Sequence, residues 1–231
     1  MDVGLGASLS STALRSVPPQ RWAHAAAAAG FTSVWSLENP LTDQAEPLVF
    51  LTAIASTVPS LHVGTAALIA PVREPVLLAR QCATLDHIAP GRLSVGVTIG
   101  RRAAEYALTG TDYHRRGRAL DDVIAVLRQC WNAKPLHVVG ADREWETAEA
   151  VGIPPATPGG PALLIGGLAP AARARAVTVG DGYLASATGG PRTALEQYRL
   201  IGDDLGAHGR SRAGFRMVAN VFVHVGDEDR R

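Results

Sequence analysis

Much that would place this chain in a common functional class is missing. There are two cysteines in 231 residues, Cys82 and Cys130, and they form no CxxC pair. That removes a disulfide scaffold and a zinc ribbon, and it points to buried thiols in a reducing compartment. No charge of one sign dominates. The formal net charge is +1, too small a field to draw the chain to nucleic acid or to an anionic membrane. The densest basic cluster, Arg115, Arg116 and Arg118, stands beside Asp112, Asp121 and Asp122. It reads as a solvated helix face before it reads as an anion site. No apolar run reaches the ~18 residues that would span a bilayer. The opening MDVGLGASLS has no basic region followed by a long apolar stretch, so no signal peptide is read there. A cytoplasmic protein acting on neither nucleic acid nor membrane is the expectation.

The familiar catalytic signatures are missing as well. No GxGxxG follows a candidate strand, and no GxxxxGK followed by Ser or Thr occurs, so the dinucleotide and P-loop fingerprints are absent. There is no GxSxG elbow and no HExxH pair, and no metal site is expected. One carboxylate, Glu38, ends a candidate strand where a glycosidase would need two.

What is present is an alternation. Apolar or β-branched runs at 3–8, 31–38, 61–70, 92–100, 161–167, 181–187 and 215–226 are separated by helical patterns at 18–30, 43–58, 74–89, 117–131, 170–180 and 192–209. Residues 132–160, rich in Pro, Gly and charge, read as an irregular connection. Strands alternating with helices of this length predict βαβ units and a parallel sheet. An open doubly wound sheet and a barrel both accommodate seven such strands, and the missing fingerprints favour the barrel. The predicted fold class is therefore α/β: a TIM (β/α)8-type barrel short of its eighth strand–helix unit, as a single domain over residues 1–231.

In such a barrel the working face is the carboxyl end of the strands. The residues there are Ser8–Ser11, Glu38–Pro40, Ala67–Pro71, Thr98–Arg102, Gly166–Ala169, Ser186–Gly190 and Gly226. Gly166-Gly167-Leu168-Ala169-Pro170 is the most informative. Two glycines permit close backbone approach, and Pro170 suits the first turn of a helix whose free N–H groups bind phosphate without a charged side chain. The same residues also read as an ordinary strand-to-helix turn. Gly100-Arg101-Arg102 pairs a glycine with cations that reach either an anionic ligand or water. The histidines give little: His62 starts a strand, His24 and His87 lie in helices, His114 faces pocket or solvent, and His224 reads first as packing. A face so poor in acid–base groups suits a cofactor that carries its own chemistry, a flavin or deazaflavin.

The stretch GTAALIAPVREPVLLARQCATLDHIAPGRLSVGVTIG (64–100) resembles the core of the bacterial luciferase-like monooxygenase superfamily, flavin- and coenzyme F420-dependent oxidoreductases. The likeness continues through 105–122 and 161–186, and more weakly through 22–38. The resemblance implies a TIM barrel holding F420, or alternatively FMN, at the carboxyl ends of the strands. It assigns cofactor binding to Ala66, Ala67, Thr98, Ile99, Gly100, Gly166, Gly167, Leu168 and Ala169, with a non-proline cis peptide at Ala66-Ala67 and the phosphate at Gly166-Gly167 and the Pro170 helix. It places Glu38 and Asn39 in the substrate pocket. Three departures stand out. Asn39 replaces a histidine that many members carry, Ile99 stands where luciferase-type members have a phosphate-holding arginine, and no eighth unit follows residue 226. The expected protein is an F420- or FMN-dependent oxidoreductase or monooxygenase acting on a small organic substrate, with no assigned catalytic residue, working as a homodimer; either a partner subunit closes the gap or the chain is a shortened one. A non-catalytic flavin-binding relative and a ligand-free scaffold are the alternatives.

Overall fold

The structure, a computed structural model, describes residues 2–7, 9–186 and 190–221. His224, Gly226 and the end of the last predicted strand lie outside the described residues. The chain divides into two compact units, residues 1–163 and 164–231.

In the first unit, β1 (Gly4–Ala7), β2 (Ser33–Ser36), β3 (His62–Thr65) and β5 (Leu93–Thr98) pair in parallel in that order, and the short β4 (Leu68–Ile69) also pairs with β5. The predicted strand 61–70 is thus split in two. Helices α2 (Pro19–Ala28), α3 (Pro47–Thr57), α4 (Pro75–Ile88) and α6 (Arg116–Trp131) alternate with these strands, close to their predicted limits. Three of the four begin on proline, whose fixed φ suits the first helical turn and whose missing N–H costs nothing there. Two short helices were not foreseen: α1 (Ser11–Ser16), capped by Ser10, and α5 (Ala103–Ala107).

The register explains two glycines. Trp35 of β2 lies opposite Gly6 and Gly64. A Cβ on Gly64 would stand 2.3 Å from the indole ring, and one on Gly4 would stand 2.7 Å from its Nε1. The two neighbouring strands give up side chains so that one aromatic can lie across them.

Residues 132–160 are not irregular throughout. β6 (Pro135–Val139) and β7 (Glu144–Ala150) form an antiparallel hairpin. The segment after it is tied down by a fully buried carboxylate. Asp86, on α4, accepts from the Thr157 amide at 2.6 Å and from its hydroxyl at 2.8 Å, and Thr157 Oγ1 accepts from Gly91 N at 3.0 Å. The Pro90-Gly91 turn is fixed from its other side by Arg92, which donates to the carbonyls of Leu61, Ala55 and Ile88 at 2.7, 3.2 and 3.4 Å. The last two carbonyls sit in the closing turns of α3 and α4, where a cation is favoured. Cys82 and Cys130 are free and buried among α4 and α6, and burial pushes the Cys82 thiol up to about 12.

In the second unit β8 (Ala162–Gly166), β9 (Gly182–Ala185) and β10 (Arg216–Ala219) pair in parallel, with α7 (Pro170–Val179) and α8 (Gly190–Ala207) between them. No helix among the described residues is long and apolar enough to cross a membrane.

Asp86→Ala leaves the half-buried Thr157 amide without its acceptor. Urea unfolding should show a loss of about 1–3 kcal/mol. An unchanged midpoint would contradict the role given to Asp86.

Candidate functional site

In the first unit, the carboxyl ends of β2, β3 and β5 are held by one half-buried and one buried carboxylate. Glu38, just past β2, accepts from the Ile69 amide at 2.5 Å and from Arg73 Nε at 3.0 Å, and it also receives Arg73 Nη2. Arg73 reaches on to Glu46 at 2.7 Å, and Glu46 caps α3 through the Val49 amide at 2.8 Å. Burial opposes the Arg73 charge, but Glu38 and then Glu46 outweigh it, and the guanidinium pKa ends above its ordinary value.

The second carboxylate is Glu105, 3% exposed. Its Oε2 accepts from the amides of Arg101 and Arg102, both at 3.2 Å, and its Oε1 accepts from Arg102 Nε at 2.8 Å. Arg102 also donates to Asn39 Oδ1. Gly100 has φ +66, and a Cβ there would meet Glu105 Oε2 at 2.7 Å and Ile69 Cγ2 at 2.8 Å, so glycine is required. The Ile99 carbonyl accepts from the Tyr106 hydroxyl, and burial raises the Tyr106 pKa, so that donor keeps its proton.

The ladder places the first group of expected cofactor residues together. Ile69 is level with Thr98 and Leu68 with Val97. Ala66, with Ala67 after it in a cis peptide, precedes them on the chain. Ala67, Thr98, Ile99 and Gly100 are half-buried and Ala66 is buried. Glu38 and Asn39 are each committed to an arginine.

In the second unit the expected phosphate residues form one continuous turn. Gly166 ends β8 and is buried, Gly167 has φ +135, and Leu168 and Ala169 are exposed. Ala169 is the N-cap of α7 and makes no side-chain cap bond. The amides of Leu168, Ala169 and Ala171 meet no acceptor among the described residues. A side chain on Gly167 would put Cβ 3.0 Å from that of Ala172. Open, solvent-facing amides at a helix start fit the phosphate of a flavin-type cofactor. The Gly167 carbonyl accepts from the Tyr183 hydroxyl at 2.6 Å. Among the described residues no cluster of His, Cys, Asp or Glu is arranged to hold a metal ion.

The model of the luciferase-like monooxygenase family matches residues 7–231. The chain belongs to that family. It is 28% identical over 97% of its length to the F420-dependent hydroxymycolic acid dehydrogenase of Mycobacterium tuberculosis, and it spans 64% of that protein. Its fold matches a monooxygenase of Streptomyces bottropensis with a TM-score of 0.81 at 22% identity, over 91% of this chain and 68% of that one. It also matches the coenzyme F420 dependent tetrahydromethanopterin reductase of Methanopyrus kandleri with a TM-score of 0.73 at 21% identity, over 95% and 65%. These are TIM-barrel enzymes, and they establish the expected α/β fold class. The chain thus spans about two thirds of the length of the family members it matches.

Arg73, Glu105, Tyr106 and Tyr183 were not read from the sequence as site residues. Only Glu105 carried a signal, three residues after Arg102 at a helix start, where a carboxylate caps free amides.

Arg73→Met leaves the Glu38 carboxylate without its cation. It should cost about 3 kcal/mol in chemical unfolding. The double variant Arg73→Met/Glu38→Leu should recover part of that. A double variant no more stable than the single one would contradict the pairing.

Proposed function

We propose that this chain is an oxidoreductase using F420, or FMN in its place, to transform a small organic molecule, and that it acts as a homodimer. The observation that carries the reading is the turn from Gly167 to Ala171, where the amides of the exposed residues Leu168, Ala169 and Ala171 have no acceptor among the described residues. Membership of a family whose members include an F420-dependent dehydrogenase supports the same reading.

Taken by itself, the first unit offers the backbone and small side chains of Ala66, Ala67, Thr98 and Gly100, with Ile99 beside them, as a wall for a flat ring. Taken by itself, the second offers the turn of Gly166, Gly167, Leu168 and Ala169 to a phosphate. The bound ring supplies the hydride or oxygen chemistry, so the chain needs few acid–base groups of its own. Glu38 and Glu105 keep the loops still, and Glu38 with Asn39 borders the substrate. Asn39 cannot move a proton near neutral pH as a histidine does, and its side-chain oxygen is already held by Arg102. That observation favours one second reading, a flavin-type binder without turnover.

Titration of the purified chain with F420 and with FMN should give saturable binding of one of them, and the cofactor-loaded chain should show twice the chain mass by light scattering. Gly167→Val forces a β-branched residue to φ +135 and should weaken that binding at least about ten-fold, with the fold retained. Binding of neither compound below high micromolar concentration would sink the cofactor reading.

A further inference from the structure

Tyr183 is fully buried, and Gln197, on α8, is 6% exposed. Two oxygens stand within reach of the single Tyr183 phenolic proton: the Gly167 carbonyl at 2.6 Å and Gln197 Oε1 at 3.0 Å. The shorter contact marks the Gly167 carbonyl as its main acceptor. With the Gln197 amide end turned over, its NH2 stands against the phenolic oxygen, so that Gln197 donates to Tyr183 and Tyr183 donates to Gly167. Burial pushes the Tyr183 phenol up to about 12, against a smaller opposing effect of Arg173, so the donor stays protonated through the working pH range.

The consequence lies on the other side of the same peptide. In a trans peptide the C=O and N–H point in opposite directions. The only cis bond among the described residues is Ala66-Ala67. With the Gly167 carbonyl held inward by Tyr183, the Leu168 N–H is directed outward, where Leu168 is 39% exposed. Gly167 lacks the Cβ that would restrict this peptide's rotation, so the hydrogen bond from Tyr183 sets its orientation.

We propose that Tyr183 is a positioning residue for the cofactor phosphate, fixing the Gly167–Leu168 peptide so that the Leu168 amide is aimed at the anion. The proposal rests on the phosphate reading given above. It goes beyond that reading by naming what holds the cradle in its binding form: a relay from α8 through β9 to the turn. The selectivity it supports is for the phosphorylated cofactor over the same ring system without phosphate.

The experiment compares whichever of FMN or F420 the wild-type chain binds with the dephosphorylated form of that compound, by calorimetric titration at neutral pH. The wild-type chain should prefer the phosphorylated form. Tyr183→Phe keeps the ring and removes the donor. It should reduce that preference about ten-fold, while affinity for the dephosphorylated form changes less than about two-fold. A wild-type chain with no preference, or with no binding at all, overturns the phosphate reading and this inference with it. A clear wild-type preference kept in folded Tyr183→Phe overturns the inference alone. If Tyr183→Phe does not fold, Gln197→Leu decides on the same readout. A fall in preference of about three-fold or more supports the relay, and an unchanged preference overturns it.

Discussion

Withdrawing a carboxylate from water is costly unless donors surround it, and the first unit places one half-buried and one buried carboxylate at the carboxyl ends of its strands. Glu38 meets the Ile69 amide and Arg73; Glu105 meets two amides and Arg102. The loops that follow β2, β3 and β5 are therefore constrained. The loop holding Glu38 cannot move without losing Ile69, and the Gly100 turn cannot move without orphaning Glu105. The second unit solves the same problem with neutral groups, using a buried phenol and an amide to hold one glycine carbonyl. In each unit, taken by itself, the held backbone leaves small or open surface at strand ends.

The architecture was legible because its signals are strong and local. Continuous apolar runs such as LSVGV mark strands buried on both faces, and prolines at 19, 47, 75 and 170 mark helix starts. The hairpin at 135–150 was not legible. Its second strand, EWETAEA, is mostly exposed and rich in glutamate, a poor strand former, and it is held by its pairing with β6 rather than by burial. The division of 61–70 into two short strands left no mark in a uniformly apolar stretch.

The candidate site was half legible for a related reason. Glycines and alanines at strand ends announce themselves by type, and the family resemblance named the same positions. The side chains that organise them did not. Arg73 looks like any helix-flanking cation, and Tyr183 sits in an ordinary strand. Each gains its role from a partner far along the chain: Glu38 for Arg73, Gly167 for Tyr183. Spacing along the sequence carries no record of such pairs. Asn39 shows the converse. Its departure from the family histidine was visible at once, but its engagement with Arg102 was not.

The account turns on the open amides of the Gly167–Ala171 turn receiving an anion. The most direct measurement is an assigned amide spectrum recorded while the phosphorylated cofactor is added. The N–H resonances of Leu168, Ala169 and Ala171 should move downfield together and saturate with the binding curve. Saturable binding that shifts other amides and leaves these three in place would contradict it.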